Sequence, residues 1–319
     1  MTFFPSSAAA LPRALMAALV FIGAFGLAAP AFAQGAEDAE TLTVETYRGD
    51  VTVPRTPETV VVYDLSALDT LDALGIEIDG VPDAPYPDRL SRFGKGGPTK
   101  VGTLFEPDLE AVNALQPDLI VTGGRSSDKT DTLSGIAPTI DMTVDEGDYL
   151  ESAIDRTEAL AAIFGKSEEA GEAIAKLRAS IEDLRSRAQD AGTGLILLTT
   201  GNKVSAFGPG SRFGILHDAY GIAPADSGFG EGNHGEAVSF EYIAETNPDW
   251  LFAIDRDAAI GQGSAAALLD NELVRGTTAW STGQVVDLDP GDWYLAASGL
   301  RAMQSAVDQV SKALSQEGS

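Results

Sequence analysis

Cysteine is absent from the 319 residues. Its absence excludes disulfides, thiolate zinc sites, thiol nucleophiles and a lipid-bearing N-terminal cysteine together. Histidine is almost as scarce, with only His217 and His234, so a zinc or manganese site built from several imidazoles is disfavoured. Basic residues are outnumbered, 21 Lys and Arg against 48 Asp and Glu, for a formal net charge of −27. That balance argues against nucleic acid or an anionic membrane surface as partner. Catalytic signatures are missing as well. The chain contains no Gly-x-Ser-x-Gly elbow, no His-Glu-x-x-His helix and no phosphate loop, and the Gly208–Gly214 loop lacks the Lys-Ser/Thr ending a phosphate loop needs. No catalytic signature rises above background, and a secreted enzyme is kept as the alternative from another class.

The one long apolar run lies at the start. Arg13 precedes an Ala-, Leu- and Phe-rich stretch, Ala14–Ala29, and Ala31-Phe32-Ala33 forms a small-x-small cleavage site before Gln34. Residues 1–33 therefore read as a cleavable export signal. No later run is long enough to span a bilayer. A soluble, disulfide-free and unlipidated monomer in a bacterial periplasm is expected.

What is present is a repeat. Asp108–Arg125 (DLEAVNALQPDLIVTGGR) and Ser239–Arg256 (SFEYIAETNPDWLFAIDR) align at a constant offset of 131. Each copy predicts a short helix capped by Asp108 or Ser239, a Pro-Asp turn, a buried strand, and an arginine just past the strand. Two copies of one α/β unit predict two similar lobes, 42–166 and 191–319. Between them, Ala170, Ile174, Leu177, Ile181 and Leu184 step by 4, 3, 4, 3 and give one apolar stripe, so 167–190 predicts a connecting helix. A helical link restricts relative lobe motion more than a Gly-rich linker would. Alternating strands and helices in both halves predict parallel, helix-covered sheets. The Pro/Gly-rich stretch Pro82–Pro98 predicts an irregular loop, and Asp289–Tyr294 another.

Ligands of open α/β sheets sit beyond the carboxyl ends of the strands. Arg125 and Arg256 occupy that place, and Arg212 lies in the Gly-rich loop 208–214 on the same side. In so acidic a chain, three such arginines point to an anionic ligand, because guanidinium stays charged and donates paired hydrogen bonds to oxygens. Surface ion pairing with Asp128, Asp255 and Asp257 is the alternative for each. His234 in the loop 226–235 and Tyr294 in Asp-Trp-Tyr-Leu are each unremarkable alone. Together, imidazole and phenolate suit Fe(III). Glu110 and Glu241 also correspond at offset 131, in the first turn of each repeat helix. Interaction with the helix N-terminus explains them at about 0.3–1 kcal/mol; docking on a two-fold partner is the functional alternative.

With these residues assembled, the chain resembles the periplasmic binding proteins of ABC importers for ferric siderophores. The subgroup it is most similar to takes catecholates such as petrobactin. The resemblance covers about Leu42–Leu314 and rests on Gly201-Asn-Lys-Val-Ser-Ala-Phe-Gly208, Gly210-Ser-Arg-Phe-Gly214, His234-Gly-Glu-Ala-Val-Ser-Phe-Glu-Tyr-Ile243, Asn247-Pro-Asp-Trp-Leu-Phe252, Ile254-Asp-Arg256 and Trp293-Tyr-Leu295. It implies two Rossmann-like lobes joined by one long helix, the class III binding-protein fold, with no intrinsic cofactor. It implies that Arg125, Arg212 and Arg256 face the anionic complex, and that His234 and Tyr294 complete the coordination of iron when the siderophore supplies four donors. It implies, finally, that Glu110 and Glu241 dock on the permease. A haem or corrinoid receptor of the same fold remains an alternative. Asp255, Asp257 and Asp292 flank the expected binding residues and either weaken attraction for an anion or point away from it.

Overall fold

The computed structural model describes residues 40–229 and 234–315, so the export signal expected at 1–33 lies outside the described residues. The chain opens with an antiparallel hairpin, β1 (Thr41–Thr46) and β2 (Gly49–Pro54). The first sheet follows: β3 (Val60–Val62), β4 (Gly80–Asp83), β5 (Thr99–Thr103), β6 (Leu119–Thr122) and β7 (Thr139–Asp141), in the order β5-β4-β3-β6-β7. All its pairings are parallel. The order doubles back beside β3, so a switch point opens between the carboxyl ends of β3 and β6. Alternate residues pack on opposite faces, Val60 and Val62 into one core cluster and Val61 and Tyr63 into another. Apolar cover on both faces is what an all-parallel sheet requires.

Two of these strands lie where the sequence predicts a loop or nothing at all. The loop expected over 82–98 begins inside β4 and holds a 3₁₀ turn at Asp88–Phe93, and β5 follows directly. Pro82 sits at a register shift in the β4–β5 pairing, the one kind of position where a proline fits inside a sheet.

The second sheet comprises β8 (Thr193–Thr200), β9 (Lys203–Phe207), the short β10 (Ala223–Pro224), β11 (Glu236–Val238), β12 (Trp250–Asp255) and β13 (Val285–Leu288), in the order β11-β9-β8-β12-β13. Its centre, β8-β12-β13, is parallel, whereas β9 pairs antiparallel with both β8 and β11. The sheet is thus mixed where alternation of elements predicts a parallel one. A tight turn at Gly201, with φ +57°, returns the chain as a hairpin instead of through a crossover helix.

The repeat is visible atom by atom. Asp108 caps Leu109–Leu115 by accepting from the backbone N–H of Glu110 and Ala111, and Ser239 caps Phe240–Thr246 by accepting from Tyr242. Both helices end on a left-handed residue, Gln116 with φ 49° and Asn247 with φ 45°. The aspartates of the two Pro-Asp turns then pin the neighbouring strand: Asp118 accepts from the N–H of Glu58 and Thr59, and Asp249 accepts from Thr193.

Helix Ser167–Ala188 buries the stripe Ala170, Ile174, Leu177, Ile181 and Leu184. It packs against helix Tyr149–Ile163 and the last helix, Leu300–Ser315. That last helix also reaches the first sheet's helix Leu65–Ala73. Buried Asp69 there accepts from the N–H of Arg301 and Ala302, and Thr70 accepts from that of Leu300. A carboxylate from another helix thereby satisfies the orphan donors of this N-terminus. The other oxygen of Asp69 accepts from Arg89 at 2.5 Å, and Arg89 also donates to buried Asp292.

Candidate functional site

A cleft of ≈ 470 Å³ opens beyond the carboxyl ends of β3, β6 and β12. Arg125, Arg212, Arg256, His234 and Tyr294 all line it. Five residues separated by up to 169 positions in the chain thus meet in one place.

Each arginine is held by local chemistry. Arg125 follows β6 in a 3₁₀ turn, Gly124–Lys129. Asp141 at the end of β7 steadies that turn by accepting from Ser127 Oγ at 2.5 Å and from Thr143 Oγ1 at 2.6 Å. The N–H of Gly124 donates to Thr143 Oγ1 at 2.8 Å. Arg212 rides a tight loop in which Gly210 has φ +69° and a Cβ on Gly214 would come within 2.8 Å of Asp218. Only glycines fit there, which explains the Gly210-Ser-Arg-Phe-Gly214 spacing. Arg256 starts the short helix capped by Asp255.

The three guanidinium groups converge on Tyr294. Arg125 and Arg212 each donate to its carbonyl at 2.7 Å, and Arg256 Nε donates to its hydroxyl at 3.1 Å. Arg125 and Arg212 also lie 5.1 and 4.5 Å from the ring centre. The segment that carries Tyr294 is no irregular loop but one π-helical turn, Gly291–Leu295, a form that gathers at functional sites. Burial pushes the Tyr294 phenol up, but the Arg256 hydrogen bond and the charges of Arg212 and Arg125 outweigh it, and its pKa falls below the ordinary value. Arg212 is itself lowered, by burial and by neighbouring Arg125. Two like charges thus share one carbonyl acceptor inside the cleft.

Of the acids flanking these residues, Asp255 and Asp292 turn elsewhere, whereas Asp257 pairs with Arg256. Asp255 accepts from Ala258, Ser264, Ala265 and Ala266. Asp257 accepts from the N–H of Gly201 and stands 3.6 Å from Arg256. Asp292 is buried against Arg89. His217 lies outside the cleft. It is buried with Nδ1 2.8 Å from the Ile222 carbonyl, and burial lowers its pKa.

Six polar residues of the cleft escape a reading by motif: Asp64, Ser66, Thr143, Glu146, Tyr149 and Ser298. Asp64 is visible in sequence only as a helix cap, and it does accept from Ala67. Burial raises its carboxyl. Tyr149 is raised by burial, with Arg212 opposing. Glu146 has no sequence signal beyond its place in a polar loop. Among the described residues, no group of three or more His, Asp or Glu side chains is placed to hold a metal ion. The convergence in the cleft is cationic.

Glu110 and Glu241 stand exposed in the first turns of the repeat helices and are not part of the cleft lining. Its own backbone N–H, then Ser239, hold the Glu241 carboxyl below the usual range. Exposed Phe105 and Leu109 precede Glu110 in sequence.

The model of the periplasmic binding protein family matches residues 60–291. The chain belongs to that family. Among its relatives, petrobactin-binding protein YclQ of Bacillus subtilis is 40% identical over 266 residues, covering 82% of this chain and 84% of YclQ. The crystal structure of YclQ superposes with a TM-score of 0.84 over 86% of this chain and 99% of that one. The periplasmic catecholate-siderophore binding protein VctP of Vibrio cholerae is 33% identical, with a TM-score of 0.82 over 86% of this chain and all of its own, 100%. These family members are named as binding proteins, and their two-lobed α/β fold is the one seen here.

Proposed function

We propose that this binding protein captures an anionic ferric bis-catecholate siderophore in the cleft and delivers it to an inner-membrane ABC permease. Lobes 42–166 and 191–319, joined through 167–190, hold the complex between them, and residues 1–33 direct export. The convergence of Arg125, Arg212 and Arg256 on Tyr294, with His234 on the same cleft, carries this reading. Two catecholates give iron four oxygens and leave a net negative complex with two open positions. The arginines meet the charge, and a phenolate and an imidazole fill the two positions. A lowered Tyr294 pKa reduces the cost of losing the phenolic proton. The siderophore arrives and leaves intact, so no catalytic group is required. Glu110 and Glu241, exposed and equivalent in the repeat, are the contacts offered to the permease.

Calorimetric titration with a ferric bis-catecholate and a ferric tris-catecholate tests the reading. The native protein binds the tetradentate complex in the sub-micromolar range. His234→Ala combined with Tyr294→Phe weakens the tetradentate complex more than the hexadentate one, which needs no protein donors. Equal losses for both would sink the direct-ligand role, and no binding of either would sink the function.

A further inference from the structure

Glu146 is out of place in an anion-binding cleft. It lies between β7 and helix Tyr149–Ile163, half-buried, on the wall that faces His234 and Arg212. Among the described residues it has no hydrogen bond and no ion pair, although Arg212 and His234 both act on it electrostatically. A carboxylate there repels an anionic cargo unless bound cargo gives it something to do.

His234 supplies that task. An imidazole bound to a metal through one nitrogen carries a proton on the other, and the metal's charge makes that N–H a strong donor. Metal-bound imidazoles therefore almost always donate to a carboxylate, carbonyl or water, which fixes ring orientation and raises ligand basicity. We propose that Glu146 is a positioning residue for His234, its carboxylate accepting a hydrogen bond from the ring nitrogen that is not on iron. This rests on the ferric-siderophore reading and deepens it. Glu146 belongs to the first lobe and His234 to the second, so the bond spans the cleft. It forms only when iron is ligated by histidine, and it favours complexes that leave iron a position for the protein to fill.

The sign of the mutational effect decides the matter. Glu146→Ala, Glu146→Gln, His234→Ala and the Glu146→Ala/His234→Ala double variant are titrated with the two ferric complexes, and the visible charge-transfer band of the bound tetradentate complex is recorded. Glu146→Ala is expected to weaken the tetradentate complex about tenfold, within the range for losing an outer partner of a metal ligand. It should leave the hexadentate complex unchanged or tighter, because a repelling charge is gone. Glu146→Gln keeps an acceptor oxygen and should stay near the native affinity. In the His234→Ala background, Glu146→Ala should cost nothing further, and in the single variant the band should move toward that of His234→Ala. Tightening of both complexes by Glu146→Ala would overturn the proposal and leave plain repulsion. A tetradentate loss that persists without His234 would overturn it too, by placing Glu146 directly on the siderophore. Native protein that binds neither complex fails at the functional reading; native protein that binds, with Glu146→Ala matching it, fails at this inference alone.

Discussion

At the scale of single residues, the cleft is organised around Tyr294. Its carbonyl, ring and hydroxyl each meet an arginine, so one side chain reports on all three cations. Burial raises Tyr63, Tyr86, Tyr149 and Tyr220, and pushes Tyr242 up to about 12, whereas Tyr294 is lowered. Tyr294 therefore loses its proton before those five as pH rises. Spectrophotometric titration of the ligand-free protein should show this early tyrosinate phase and Tyr294→Phe should abolish it. Removing a positive neighbour makes the phenolate harder to form, so Arg256→Gln should move the phase to higher pH. A phase unmoved by Arg256→Gln would show that the Arg256 contact does not set the phenol's acidity.

At the scale of elements, the repeat helices give matched sites with opposite expectations. Gln116 and Asn247 hold the same left-handed turn, φ 49° and 45°. That region penalises a residue with a Cβ by about 1 kcal/mol or more, least for Asn, and not for Gly. Gln116→Gly should raise stability to urea by about 0.5–1 kcal/mol, since the bond it gives up, from Nε2 to the Asn113 carbonyl, is exposed and spans only one turn. Asn247→Gly should lower it, because Asn247 Oδ1 also accepts from the N–H of Thr278 at 2.8 Å and glycine cannot. A gain for both would show that backbone strain governs each turn, and a loss for both that the side-chain bonds do. These helices were legible in the sequence because caps, Pro-Asp turns and buried strands leave local residue signatures. So was the stripe of Ser167–Ala188. β4 and β5 were not, since Pro82 at a register shift and Gly102, with φ +94°, read as breakers while fitting irregular sheet positions. The π-turn under Tyr294 was illegible for a related reason: its geometry follows from packing against Arg89, Arg125 and Arg212, contacts made across 82 to 203 residues. The arginines could be read from their places after strands, but Glu146 could not, because nothing local distinguishes a cleft carboxylate from a solvated one.

At the scale of the whole molecule, the connecting helix is not the sole tie between the halves. Arg89 binds Asp69 and Asp292, whose side chains are 0% and 5% exposed, and Asp69 also holds the start of the last helix. Removing the cation would leave two buried carboxylates unpaired. Arg89→Met should therefore cost roughly 3 kcal/mol or more in chemical denaturation, with binding recoverable in the folded fraction. A change under 1 kcal/mol would mean that water already reaches these acids. The same tie predicts little opening of the lobes, as the helical link alone suggests.

Trp293, the neighbour of Tyr294 in the π-turn, is 2% exposed, stands edge-on to Tyr220 at 6.2 Å, and has no hydrogen-bond partner for its Nε1 among the described residues. An indole in so dry a setting emits toward the blue, and it sits one residue from the place proposed for a coloured iron complex. The protein thereby carries its own optical gauge of occupancy. Of the three tryptophans, Trp293 should supply most of the emission lost on loading, and Trp293→Phe should silence most of that signal while the Arg256 contact to Tyr294 stays in place.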